Sequence, residues 1–243
     1  MESKDIHVIE LNWKGVYLLG GFASLLVVLF AVLEILITFI PGGERVPSEM
    51  VSVTLWFERL QDNPLLAMRN LGLVNIFLTT FGLLLSFSLF AAHRKVNLAW
   101  AGIAMIISSI GAAVFMATNR GLSMLSLSNR YAAVTDEVQR AAVVAAGEAM
   151  LAVGESHTPG TFLAFSLGLI ASMLMAWVML HGRVFSRVTA YVGMVAFACL
   201  LVFEILSDFV PTLFEAAMIF AMIGGITSII WYVMVAIRLF QLK

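Results

Sequence analysis

The chain reads as long apolar runs separated by short polar interruptions. Six runs are long enough to cross a hydrocarbon core of about 30 Å, which takes about 20 mostly apolar residues as a helix. They cover residues 16–40, 65–92, 98–118, 161–180, 188–207 and 213–237. Pro41, Pro64, Pro159 and Pro211 mark their ends, where proline disturbs a helix least. The pattern predicts an all-α integral membrane protein built as a six-transmembrane-helix bundle. The first run follows a short charged stretch. It is too long for a signal peptide and shows no small-residue cleavage motif before Pro41, so it is expected to stay as the first helix.

Two further segments are amphipathic rather than apolar throughout. Residues 48–61 mix Met50, Val51, Leu55, Trp56 and Phe57 with Glu49, Glu58 and Arg59, which suits a short helix at an interface. Residues 131–151, between the third and fourth spans, read as an outer amphipathic helix. Thr135 is placed to cap it, Asp136 and Glu137 to face its dipole, and Gly154 to end it. Val134, Val138, Ala141, Ala142, Ala145 and Ala149 form its apolar stripe, and Asp136 with Arg140 an i,i+4 ion pair.

Composition agrees with the spans. Of the 243 residues 61% are hydrophobic and 12% charged, with a mean hydropathy of +1.00. Soluble domains average about 45–50% apolar and about 25% charged. The net charge of −1 recruits no polyanion, which argues against nucleic acid as a partner. The single cysteine, Cys199, excludes an internal disulfide.

The distribution of charge sets an orientation. With both termini cytoplasmic, Lys4, Lys14, Arg94, Lys95, Arg183, Arg187, Arg238 and Lys243 lie inside. Two of the inner loops are short and carry two basic residues each, as the positive-inside rule asks. The assignment suits a cell inner (plasma) membrane. Trp13, Trp100, Trp177 and Trp231, with Tyr17, Tyr191 and Tyr232, then fall towards the inner ends of spans, where an interfacial aromatic belt is expected.

Helices in lipid associate by close contact rather than by the hydrophobic effect. Ala104, Ser108 and Ala112 on the third span, and Ala217, Ala221 and Gly225 on the sixth, are expected seams. The second span carries a weakly polar stripe of Asn75, Thr79, Gly82 and Ser86. Either it hydrogen-bonds between helices or it lines a polar path.

Ionisable groups inside spans are costly and rare. Glu34 lies six residues before Ile40, about 9 Å below the outer end by helical rise. Glu204 sits at a comparable depth in the fifth span, with Asp208 one turn later on the same face. Residues 32–41 and 202–211 align without gaps and share six of ten positions, which chance similarity between apolar runs also explains. Arg69 and Arg120 lie at the outer ends of the second and third spans, within reach of these carboxylates. Glu34, Arg69, Asn75, Arg120, Glu204 and Asp208 therefore form the candidate ligand-binding cluster. Its alternative is a set of ion pairs fixing helix register.

His93 and His181 sit beside basic residues at inner span ends, placed to touch anionic headgroups. Glu155 and His157 are one outer-loop ligand pair, too few for a metal site. The fourteen methionines, Met218 and Met222 among them, read as core filler, since no span brings His or a second Cys to them. No metal, cofactor or catalytic group is called for, because no HExxH motif, phosphate loop or nucleophile elbow occurs.

Several runs resemble one known family. They are NLGLVN at 70–75, NRGLSMLSLS at 119–128, YAAVTDEVQRA at 131–141, AGEAML at 146–151, VFSRVTAYVG at 184–193 and IWYVMVAIR at 230–238. Their order, over most of 65–243, resembles a bacterial polytopic membrane family described only as a domain of unknown function. The resemblance implies a bacterial integral membrane protein and carries over no catalytic residue. Glu34 and the Glu204–Asp208 stretch stand outside its pattern.

Three functions follow as expectations. The first is a non-enzymatic protein that binds or moves a small amphipathic or lipid-like molecule from the outer side, in a cavity lined by Glu34, Asn75 and Glu204. The second is a structural or regulatory subunit docking on another membrane protein, or on further copies of itself. The third is an intramembrane lipid-modifying enzyme using Glu34 and Glu204 as acid and base.

Overall fold

The computed structural model describes residues 3–38, 52–154 and 158–242, all helical or in short connections. Pro41, residues 48–51 and the Glu155–His157 pair lie outside the described residues. Among the described residues, ten α-helices run α1 Ser3–Thr38, α2 Val53–Asp62, α3 Pro64–Asn70, α4 Leu73–His93, α5 Leu98–Thr118, α6 Gly121–Ala133, α7 Glu137–Gly154, α8 Phe162–Gly182, α9 Arg187–Phe209 and α10 Phe214–Gln241. Six of them, α1, α4, α5, α8, α9 and α10, are long and apolar enough to cross a membrane.

These six pack as a closed ring. Each touches the next in the order α1, α4, α5, α8, α9, α10, and α10 returns to α1. The connections at one end are short and basic, with Arg94, Lys95, Arg183 and Arg187. The other end carries α2, α3, α6 and α7, and is called the cap end below.

The basic half of the ring is filled. Leu85, Leu89, Met175, Met179, Phe197 and Trp231 meet in one buried cluster. Close approaches between helices use small residues. A Cβ on Gly193 of α9 would run into the Trp231 indole of α10, and one on Gly111 of α5 would meet Leu167 and the Gly168 backbone of α8. Two expected seams are rotated as a result. On α10 the buried positions are Ala217, Gly224 and Ser228, while a Cβ on Gly225 would meet open space. On α5, Ala104 is buried, whereas Ser108 and Ala112 turn towards the centre of the ring.

The cap is a folded unit, not a pair of separate helices lying on an interface. Trp56, Phe57 and Leu60 of α2 are each 1% exposed and cluster with Met68, Met124, Val143 and Leu151 from α3, α6 and α7. Ser52 caps α2 through the Leu55 N–H at 3.3 Å, and Asn63 caps α3 through the Leu66 N–H at 3.2 Å. Ser128 of α6 donates to the Phe57 carbonyl at 2.8 Å and accepts from Gln61 at 2.9 Å.

Several expected boundaries change for local reasons. The run 65–92 is not one helix. It breaks at Leu71–Gly72, where Gly72 adopts φ +94°, a left-handed conformation that glycine tolerates best. Residues 121–133 form α6, which the serine-rich stretch did not suggest; contact with the cap core stabilises it. The helix expected at 131–151 begins at Glu137, and its cap is Asp136 rather than Thr135, accepting from the Gln139 N–H at 3.1 Å. Arg140 donates to the Val134 carbonyl at 3.1 Å and lies over Tyr131, instead of simply pairing with Asp136. The face of α7 that packs is Val143, Gly147 and Leu151. Gly147 decides this, because its missing side chain admits Val53 and Phe57. The alanine-rich stripe Val138, Ala141, Ala142, Ala145 and Ala149 is exposed.

Part of the expected aromatic belt is present at the basic end. The Arg94 guanidinium lies 4.2 Å from the Trp13 ring centroid, and Trp100 meets Trp177 edge to face at 5.6 Å. Trp231 is not part of it. α10 continues to Gln241, about 15 Å beyond Trp231 by helical rise, so the indole sits deep in the bundle, 2% exposed. His93 does not reach headgroups either. It is fully buried, stacked on Phe185 at 5.4 Å, with Nδ1 2.8 Å from the Leu89 carbonyl oxygen.

Gly193→Ala is expected to destabilise the bundle by about 1–3 kcal/mol, the usual cost of overpacking. Gly102→Ala, where the nearest atom to a Cβ is 3.8 Å away, is expected to be neutral or stabilising. Denaturant unfolding of the detergent-solubilised protein reads both; equal midpoints for the two variants would contradict the close Gly193–Trp231 packing.

Candidate functional site

Among its helices the ring holds a half-open cavity of about 350 Å³. Among the described residues, five of the six ring helices contribute to its wall, and α1 does not. Along α4 the wall runs from Asn75 to Leu89, about 21 Å at 1.5 Å per residue. The weakly polar stripe of α4 lies on it, since Asn75, Thr79, Gly82 and Ser86 all border the space. Ser108 of α5, Ser172 of α8 and Ser228 of α10 add hydroxyls from three other sides. The lining is thus apolar in bulk with dispersed polar groups, the usual make-up of a small-molecule pocket.

Two glycines keep the space open. Gly82 and Gly168 border the cavity from α4 and α8, and a Cβ on either would meet nothing within 4 Å. A helix-interior glycine costs about 1 kcal/mol relative to alanine. Packing does not require these two, unlike Gly193 or Gly111.

The floor is aromatic. Phe197 and Trp231 meet edge to face at 4.9 Å, and Trp231 meets Tyr232 at 5.1 Å. Towards the cap end stands Glu204, 7% exposed and on the cavity wall. It lies seven residues beyond Phe197 on α9, about 10 Å away along the helix. Asp208 follows one turn nearer the cap, 5% exposed, with the Ser207 hydroxyl 3.4 Å from its Oδ1.

The six residues of the expected cluster therefore occupy three places. Asn75 and Glu204 border the cavity, with Asp208 behind Glu204. Glu34 does not border it. Its carboxylate accepts from Arg69 Nε at 3.2 Å, while Arg69 also donates to the Glu34 carbonyl at 3.0 Å and to Asn70 Oδ1 at 2.7 Å. This pair clamps α1 to α3, and its side chains are 13% and 3% exposed. The likeness of 32–41 to 202–211 thus does not extend to environment; residues 39–41 of it lie outside the described residues. Arg120 occupies a third place, the neck between ring and cap. It donates to the Leu151 carbonyl at 3.0 Å. Beside it Asn119 donates to the Gly72 carbonyl and accepts from the Gly121 N–H, both at 3.1 Å, joining the α3–α4 and α5–α6 breaks. A second void of about 10 Å³ lies at this neck and shares Asn75 and Phe165 with the cavity wall.

Phe197 and the hydroxyls of Ser172 and Ser228 were not singled out in the sequence, and Trp231 and Tyr232 read there as belt residues rather than as a cavity floor. The four-residue spacing of Gly168 and Ser172 was the available signal for α8. The aromatic floor left none, because Trp231 and Tyr232 also fit a belt. Among the described residues no three His, Cys, Asp or Glu side chains converge. The chain matches no protein-family model, no curated protein and no solved structure.

Removing one partner of a buried ion pair strands the other. Arg69→Met is expected to cost about 3–5 kcal/mol, and the double variant Glu34→Gln/Arg69→Met markedly less. A double-mutant cycle on unfolding midpoints measures the coupling; additive effects would mean that the pair does not hold α1 to the cap.

Proposed function

We propose that this chain is a bacterial inner-membrane protein that binds a small amphipathic molecule in the cavity of its six-helix ring, without catalysing a reaction. The single observation behind this is the roughly 350 Å³ space lined by the α4 polar stripe and kept open by Gly82 and Gly168. Such volumes suit drug-sized molecules that are mostly apolar with a few polar groups. The short basic connections favour an orientation with both termini cytoplasmic and the cap outside. The end of the cavity at Asn75 and Glu204 is the one nearer the cap, so this orientation favours entry of the ligand from the outer side. The resemblance to a bacterial polytopic family supports the setting and adds no activity.

A second reading is a subunit that docks on another membrane protein. The exposed α7 stripe of Val138 and alanines favours it. A stable complex retained after mild extraction would support it, and a monodisperse monomer would count against it.

Filling the space tests the first reading. In phosphatidylcholine nanodiscs, 4-phenylbutan-1-ol is expected to bind the wild-type chain above its partition into empty discs. Gly82→Leu and Gly168→Leu are expected to abolish that excess while keeping or raising thermal stability, since leucine is the better helix former by up to about 1 kcal/mol. Undiminished binding in both filled variants would overturn the cavity as the binding site.

A further inference from the structure

We propose that the molecule held in this cavity is an amphipathic organic cation, with its ammonium group at the Glu204 carboxylate and its apolar body against the floor of Phe197, Trp231 and Tyr232. The proposal rests on the binding reading above and names the chemistry of its ligand.

Charge is the first argument. Glu204 is the only residue bordering the cavity, among those described, that carries a formal charge. Asp208, one turn nearer the cap on the same helix, adds a second carboxylate behind it. A carboxylate taken out of water is costly to keep ionised. An entering cation offsets that cost, and their attraction is stronger there than in water. An entering anion adds to it.

Shape is the second argument. The carboxylate and the aromatic floor are about 10 Å apart along α9, which separates a polar head site from an apolar body site. The space is far larger than a bare inorganic cation needs, and its lining between the two ends is mostly aliphatic with single hydroxyls. Those hydroxyl oxygens accept hydrogen bonds from an ammonium head without adding charge. An alkyl or aryl chain of about four carbons ending in an amine spans the distance.

Three molecules on one skeleton separate charge from shape: 4-phenylbutylammonium, 4-phenylbutan-1-ol and 4-phenylbutyrate. Binding is measured by calorimetry on the full chain in phosphatidylcholine nanodiscs, with empty discs subtracted. The wild type is expected to bind the amine about ten-fold or more tighter than the alcohol, and the acid more weakly than the alcohol. Glu204→Gln is expected to bring amine and alcohol within about three-fold of each other. Glu204→Asp keeps the charge and is expected to retain the preference, so that it reports on the carboxylate even if the glutamine variant folds poorly. Equal affinity of the wild type for amine and alcohol, or a preference that survives in folded Glu204→Gln, overturns the cation assignment and leaves the cavity reading standing. Failure of all three molecules to bind the folded wild type overturns both.

Discussion

The fold turns on one indole. Trp231 of α10 lies against Gly193 of α9, where any side chain would displace it, and it meets Phe197 and Tyr232 at its edges and faces. Towards the basic end, the ring is filled by Leu85, Leu89, Met175 and Met179. Towards the cap end it is not. In lipid the helices gain little from burying leucine on leucine, so they associate where small residues let backbones and rings come close. Gly193, Gly111 and Gly224 supply such places on the seams. Gly82 and Gly168 border the cavity, and a side chain on either would meet open space, which leaves the room that Glu204 and the α4 stripe border.

The cap gives the ring a different kind of stability. Its four helices bury Trp56, Phe57, Leu60, Met68 and Met124 together, as a water-soluble core does, where removing apolar surface from water is the main driving force. It is joined to the ring at the neck by Asn119 and Arg120 and on the side by the Glu34–Arg69 pair. These polar contacts place charges where water or protein can satisfy them. Among the described residues neither arginine borders the cavity, whose lining includes Glu204. Buried charges thus serve two ends: Glu34, Arg69 and Arg120 fasten the cap, while Glu204 borders the cavity.

Much of this was legible along the chain, and the misses have physical causes. Helix length and apolar content follow from each residue's own transfer energy, so the six long helices, the α5 limits and the α4 polar stripe could be read directly. Amphipathic helices were harder, because alanine packs or faces solvent with little difference in energy. The α7 stripe of Ala141, Ala142, Ala145 and Ala149 was therefore assigned to the wrong face, and Gly147, the position that admits Phe57, was passed over. The break at Gly72 was hidden inside an apolar run. Trp231 and Tyr232 suit a membrane interface as well as a core, and only the continuation of α10 to Gln241 separates the two.

By itself the sequence determined a chain of six helices fit to cross a membrane, the basic short connections and the depth of two carboxylates in their helices. These are properties of single segments, set by hydropathy and helical rise. The tertiary structure decided which neighbours the segments meet. It sent Glu34 to Arg69 and Glu204 to a cavity, although both sit in nearly the same local sequence. That choice depends on where six helices close into a ring, and contacts between residues 35 positions apart, or farther, have no signature within ten residues.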